Sequence, residues 1–322
     1  MKQSLHSFYW KCLCLLAITL CCFFPSFAQE EERNTTEFGF TTGPIVALTD
    51  LGGHAGRGTT FIKDYNFNTT KMMFGAYFAA FPAQWLGFRL SANYGNVEAF
   101  DADIKAKGGD EVTRLNRNLD FRSVILEGTA MAEVYPTVFL EDDPEDVQGR
   151  LRPYGLIGLG VFHFNPQGSL SNGRGITTWY DLRPLHTEGE GWVPGVKEYS
   201  LTQLNIPMGA GLKYYLSEDV NLSVELIYRK LFTDYLDDVS GEYIDPSLFT
   251  QHLSPSQAAI AIAISNKAAS GYNTPGYKPG DKRGTPSNND AYFTFGIKLG
   301  IRLTGGQRER WYNSTHCPLL RF

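Results

Sequence analysis

Cysteine is scarce and badly placed for crosslinking. Of 5 cysteines, Cys12, Cys14, Cys21 and Cys22 crowd the N-terminus and Cys317 stands near the other end. Long apolar runs are missing too: beyond the first residues nothing approaches the roughly 18 consecutive apolar positions of a membrane-spanning helix. Nor is there a basic excess, since 29 Lys and Arg face 34 Asp and Glu. These shortages argue against a disulfide scaffold, a helical membrane protein and a nucleic-acid binder. What is abundant is glycine, at 33 residues, and aromatic side chains, with 17 Tyr and 22 Phe. At 43% hydrophobic and 20% charged the chain is rich enough to fold, and the mixture favours β-structure.

The N-terminus reads as a cleavable secretory signal over residues 1–28. Lys2 and Lys11 precede an uncharged run from Cys12 to Phe24, and Ser26-x-Ala28 supplies the small residues of a cleavage site. A lipidated cysteine is the competing reading, disfavoured because Leu20 precedes Cys21 and Cys21 precedes Cys22. Removing the leader takes two lysines, leaving 27 basic against 34 acidic residues, a net charge of -7. Only Cys317 then remains, so no intramolecular disulfide forms, and the thiol is either free or an intermolecular bridge.

The mature chain can still cross a membrane as strands, which need only about 9 to 11 alternating residues each. In the last such segment Phe293, Phe295, Ile297, Leu299, Ile301 and Leu303 share one face, and Lys298 and Arg302 share the other. The same alternation recurs at Leu204–Lys213, Leu222–Arg229 and Leu86–Asn93, and Pro207 within the first of these is read as a local bulge. Weaker segments at Glu37–Leu48, Lys71–Pro82, Leu119–Tyr135 and Arg152–Phe164 bring the total to eight. The connections alternate short and long, with the long ones at about 49–70, 101–118, 165–199 and 234–289. Loops that long count against a compact soluble domain. The pattern predicts an all-β, eight-stranded antiparallel up-and-down transmembrane barrel over residues 29–304, with both termini in the periplasm and the long loops outside. Ser254-Pro255-Ser256-Gln257 predicts a helix inside the last loop, over about Ala258 to Ala269, with a short strand as the alternative. Gly271 to Asn289 reads as a mobile loop.

An eight-stranded barrel is narrow enough to be filled by its own side chains. Alternation turns Glu127, Glu133 and Glu225 inward, together with Arg89, Lys213, Arg229, Lys298 and Arg302. That set predicts an ion-pair plug, with a gated ion path as the alternative. His186-Thr187-Glu188-Gly189-Glu190 offers a nitrogen and two carboxylates, but no ligand spacing recurs and its glycines suit a turn. Asp234-Tyr235-Leu236-Asp237-Asp238 reads as a solvated loop at the outer end of a strand; the alternative is a site for calcium or the cations of lipopolysaccharide. His163 near Ser169 or Ser171 is the one hint of a hydrolase, without a nucleophile-elbow pattern. No catalytic residue, metal or cofactor is expected. After Leu303 comes a tail, 305–322, that a barrel does not need. Its Arg308, Arg310, Trp311, Tyr312 and Cys317 suggest docking to a periplasmic partner, with a flexible tail carrying an idle thiol as the alternative. The acidic turn Glu141–Asp146 either binds a basic partner or is simply solvated.

Pro153-Tyr154-Gly155 through Phe164-Asn165-Pro166, Leu185-His186-Thr187-Glu188-Gly189, Tyr199 to Leu216, and Arg229-Lys230-Leu231-Phe232-Thr233-Asp234-Tyr235-Leu236-Asp237-Asp238-Val239-Ser240 run through the C-terminal two thirds of the barrel. In these segments the chain resembles the PorG-type outer-membrane proteins of the Bacteroidetes type IX secretion system. The resemblance implies a noncatalytic barrel attached to that machine's periplasmic ring, a lipoprotein with its partner subunit. It makes Thr187, Glu188, Gly189, Asp234, Tyr235, Asp237 and Asp238 family-motif loop residues, and it makes a Cys317 disulfide to the ring lipoprotein the covalent form of docking. A free-standing OmpA-like envelope or adhesion barrel is the rival.

Overall fold

The computed structural model describes residues 35–52, 70–104, 111–144, 146–172, 175–270 and 276–303. The expected leader and the expected tail, with Arg308, Arg310, Trp311, Tyr312 and Cys317, lie outside the described residues. Eight strands form a wall: β1 (Thr35–Leu48), β2 (Lys71–Ala83), β3 (Leu86–Phe100), β4 (Asp120–Val134), β5 (Leu151–Ser171), β7 (Thr202–Tyr215), β8 (Val220–Leu231) and β9 (Ala291–Arg302). Each pairs antiparallel with its neighbours in the order β4-β3-β2-β1-β9-β8-β7-β5, and β5 pairs back to β4 from Arg122–Gln167 to Val134–Gly155. The sheet therefore closes, and none of the eight has a free edge within the wall. A short extra strand, β6 (Thr177–Asp181), extends β5 as a hairpin beyond the barrel.

Alternation decides which face meets which medium. On β4, Arg122, Val124, Leu126, Gly128, Ala130, Ala132 and Val134 point out, while Phe121, Ile125, Glu127, Met131 and Glu133 point in. The outward apolar run from Val124 to Val134 covers about 33 Å at ~3.3 Å per residue. Tilted by about 40°, it stands about 25 Å high, the height of a membrane-crossing apolar band. Leu159, Leu90 and Leu204 on the outside are 69%, 62% and 61% exposed, which inverts the arrangement of a water-soluble protein. No described helix is long and apolar enough to span a membrane, so the strands do the crossing.

β5, apolar on both faces in the sequence, turns Tyr154, Leu156, Phe162 and Phe164 inward and Ile157, Leu159 and Val161 outward. Pro207 is not a bulge. Pairing of β5 with β7 stops at Ile157–Met208 and resumes at Gly160–Asn205 in the same register, so the missing N–H costs ladder bonds without shifting the strand. The register shift falls instead at Phe81–Pro82, between Ala80 and Ala83, where β2 turns into β3.

Short turns lie at one end of the barrel and long loops at the other. The long loops carry α1 (Glu111–Arg117), α2 (Pro246–His252) and α3 (Pro255–Ser265). The predicted helix is α3, but it stops at Ser265 rather than Ala269. Ser254 stands at its N-cap, although the hydroxyl bonds Gln257 Oε1 at 2.7 Å rather than a backbone N–H. α2, unanticipated, is capped by Asp245, which accepts from Ser247 N at 2.9 Å. Leu182, Leu185, Phe249, Ala258, Ala261 and Ile264 form a separate apolar core that packs these helices onto the β5–β6 hairpin.

Candidate functional site

The lumen is filled in three polar tiers. Nearest the short turns, Glu37 accepts from Tyr77 OH at 2.5 Å, Lys213 Nζ at 3.0 Å and Asn221 Nδ2 at 2.8 Å. Glycine makes that tier possible: a Cβ on Gly300 would fall 2.4 Å from Glu37 Oε1 and 2.5 Å from Tyr77 OH. In the middle, Arg89 Nη1 reaches Glu225 at 2.5 Å and Glu133 at 3.1 Å, while Lys298 Nζ reaches the same two at 3.0 and 3.3 Å. Tyr154 OH bonds Glu225, and Tyr135 OH donates to Glu133 at 2.5 Å. Toward the long loops, Glu127 takes Arg229 Nε at 2.9 Å, with Asn93, Asn205 and Tyr292 donating at 2.9, 2.8 and 2.9 Å. Glu37, Glu127, Glu133 and Glu225 thus meet Arg89, Lys213, Arg229 and Lys298, four charges of each sign, all buried. Buried charges persist only when paired and hydrogen-bonded in this way.

Apolar layers close both ends of this stack. Phe121, Ile125, Phe162, Phe164, Leu231 and Tyr292 cover the loop side, and Phe81, Tyr135, Val138 and Tyr154 the turn side. Below the latter, Arg152 is fully buried and donates to Glu141 Oε2 at 2.5 Å and to the Pro144 carbonyl at 2.7 Å, so the β4–β5 connection lies across the mouth. The acidic turn is therefore engaged at Glu141, whose charge two arginines share. A void in the lumen of about 30 Å³, beside Thr41, Ser91 and Thr294, has room for a water or two.

The inward set read from the sequence comes together except for Arg302. That side chain is half-buried, stacks over Tyr215 at 4.8 Å and forms no salt bridge to a described residue, because it lies at the end of β9 beyond the carboxylate tiers. Glu37 and the tyrosines were not legible. Glu37 lies in a segment whose inward face is mostly Thr, Gly and Ile, and nothing local marks a tyrosine hydroxyl as a carboxylate donor.

Parts of all four long loops are buried. Asp237 and Asp238 are fully buried and Asp234 is 6% exposed, which corrects the reading of this stretch as an open acidic loop. Asp238 accepts from Tyr199 OH at 2.6 Å and Thr187 Oγ1 at 2.5 Å. Asp237 accepts from Leu51 N at 2.9 Å and Val239 N at 3.0 Å. Glu188 takes Ser240 N, Gly241 N and Arg283 Nη1 at 2.9, 2.8 and 2.8 Å. Arg283, in the segment expected to be mobile, is 4% exposed and also donates to the Asp238 carbonyl at 2.6 Å. Arg117 holds Asp101 with two nitrogens at 2.8 and 2.9 Å and bonds the Asp50 and Arg283 carbonyls. All four long connections therefore meet in one buried knot. Of the family-motif residues, Thr187, Glu188, Asp237 and Asp238 belong to it directly, while Tyr235 stacks on Tyr199 at 4.8 Å. Gly189 supplies a positive φ of 74° for the turn after His186.

Burial pushes Glu190 up to about 8, helped by Asp238, and pushes Asp238 up to about 6 against the pull of Arg283. His186 Nδ1 lies 2.6 Å from the Glu190 carbonyl and its ring stacks on Trp192, consistent with a turn. His163 is exposed beside Thr202, while Ser169 bonds Asp120, so no hydrolase pair forms. Among the described residues no three His, Cys, Asp or Glu side chains are grouped to hold a metal.

A closed eight-stranded antiparallel barrel with an apolar outer band, a polar filled interior and loops of unequal length at its two ends is a transmembrane β-barrel of the outer-membrane type. No protein-family model matches the chain, and no curated protein is significantly similar. Among solved structures it is similar to the attachment invasion locus protein Ail of Yersinia pestis, crystallised with a heparin analogue, at 9% identity over 84% of this chain and 97% of that one, with a TM-score of 0.33. It is also similar to OprG of Pseudomonas aeruginosa, at 14% identity over 83% and 95%, TM-score 0.32. A third is a major outer membrane protein of Thermus thermophilus, at 11% identity over 83% and 99%, TM-score 0.35. Scores this far below 0.5 carry no argument, and the fold stands on the strand pairing itself.

Proposed function

We propose that this chain is a noncatalytic outer-membrane component of the type IX protein secretion machinery that docks the periplasmic ring lipoprotein and its partner subunit at the membrane. The observation that carries a noncatalytic role is the filled lumen: among the described residues its charges are paired four against four and the space is taken up by side chains, which leaves the work to the surfaces. The secretion role rests on the sequence resemblance. Two of its segments, Leu185–Gly189 and Arg229–Ser240, supply Thr187, Glu188, Asp237 and Asp238 to the loop knot, a structural rather than a catalytic use. On this reading residues 1–28 are removed, both termini face the periplasm, and the tail 305–322 is the docking element, with Trp311, Tyr312, Arg308 and Arg310 as contacts and Cys317 as a bridge to the lipoprotein.

Affinity purification of tagged protein from outer membranes without reductant, beside Cys317→Ser, tests this. A reducible adduct with a ring lipoprotein, absent in the serine variant, supports the proposal. Protein that runs alone in both lanes and brings down no ring subunit favours the second reading, a free-standing envelope or adhesion barrel. The self-contained closure of the barrel at both ends speaks for that alternative.

A further inference from the structure

The loop knot holds more buried carboxylates than its cations neutralise. Arg283 is committed to Glu188 and Asp238, and Arg117 to Asp101. Besides Glu190 on the β5–β7 connection, that leaves the half-buried Asp50 and the buried Asp234, Asp237 and Asp290, which come from the β1–β2 and β8–β9 connections and are stitched together through main chain. Leu51 N donates to Asp237, Leu236 N to Asp290 at 2.8 Å, Thr285 N to Asp50 at 2.5 Å, and Asp290 N to the Thr233 carbonyl at 3.0 Å. Asp234 beside them is buried with neither oxygen in hydrogen-bond geometry with a donor, an arrangement far more costly for a carboxylate than for a neutral carboxyl group.

We propose that this end of the barrel is a proton-dependent latch, in which Asp50, Asp234, Asp237 and Asp290 hold the two connections together while protonated and release them as their protons leave.

The charges facing the cluster from the surrounding elements are Arg117 after β3, Lys282 on the last loop and Glu188 on the β5–β7 connection; Arg117 and Lys282 favour ionisation of Asp50, and Glu188 opposes it. Burial pushes Asp234 up to about 7, with Ser240 pulling down and Asp50 and Glu188 adding to the rise. Burial and the neighbouring aspartates push Asp237 and Asp290 well above the carboxylate range. The closed state therefore binds more protons than the open one, and closure is lost as pH rises between the ordinary aspartate value and the raised one, by up to about tenfold per pH unit for each group. A divalent cation is the less suitable neutraliser, because both Asp237 oxygens and one each of Asp50 and Asp290 are already turned to backbone N–H groups.

Hydrogen exchange of the full chain in lipid vesicles, corrected for intrinsic rates, reads the latch at the amides of Leu51, Leu236 and Val239. Their protection should fall at least about tenfold from pH 5 to pH 8, while the amides of β4 stay level. Asp234→Asn, neutral at every pH, removes one of the titrating groups and should make the fall from pH 5 to pH 8 measurably smaller, and Asp290→Asn should do the same if the first variant fails to fold. Protection that is flat with pH in the unmodified chain would overturn the latch. So would calcium restoring protection at pH 8 in the unmodified chain while Asp234→Asn abolishes it, since a bound cation would then do the neutralising.

Discussion

Replacing Glu225 with alanine strands a buried cation. Its carboxylate receives Arg89 at 2.5 Å and Lys298 at 3.0 Å, and Tyr154 as well. With Glu225 gone, Arg89 and Lys298 share Glu133 alone, at 3.1 and 3.3 Å, and the lumen carries one unbalanced positive charge in a site that is 2% exposed. Breaking a buried pair in this way costs about 3–5 kcal/mol, most of it the desolvation of the abandoned charge rather than lost attraction. Removing both partners separates those contributions. Glu225→Leu with Arg89→Met leaves Glu133 and Lys298 as a balanced pair, so the double variant should recover at least half of the loss despite the orphaned Tyr154 hydroxyl. The assay is reversible urea unfolding of protein refolded into lipid vesicles, followed by tryptophan fluorescence. A single-variant cost below about 1 kcal/mol, or a double variant no more stable than the single, would refute the reasoning.

The inward glycines of the wall are spacers for the charged tiers. Gly300→Ala should cost about 1–3 kcal/mol in the same unfolding assay by forcing Glu37 away from Lys213. On the outside, Leu159→Arg places a charge in the apolar band and should cost about 2–4 kcal/mol, whereas Ile176→Arg, exposed in the loop beyond the band, should change stability by no more than about 0.5 kcal/mol; equal costs would show that the band is misplaced. Planar-bilayer recordings of the pure protein should show no steady conductance, and regular current steps would mean that the three tiers leave a continuous path.

Much of the wall could be read directly. Phe293 to Leu303 and Leu222 to Tyr228 announce their facing because lipid on one side and a polar interior on the other impose a period of two, and all eight segments become strands, although β5, apolar on both faces, shows no such period and runs on to Ser171. The inward charges follow from the same rule, so seven of the eight named ion-pair residues lie in the lumen network. Arg302 does not, because periodicity gives the side of a strand but not the height at which a partner waits. The Asp234–Asp238 run misled for a related reason. Acidic residues in a loop are ordinarily solvated, and only contacts from Thr187, Tyr199 and Leu51, each distant in sequence, turn this run into a buried one.

The amino-acid sequence by itself determined the eight strands of the wall, the facing of those that alternate and the unequal loops, because each depends on neighbours along the chain and on the two media the strands separate. Which carboxylate meets which cation, the recruitment of Glu37 and the tyrosines, and the burial of Arg283 and Asp234 among loops were decided only by tertiary structure. Those depend on barrel closure, which brings residues such as Glu37 and Lys213 from β1 and β7 to within 3.0 Å across the lumen. A strand's own pattern carries no record of what stands opposite it inside the barrel.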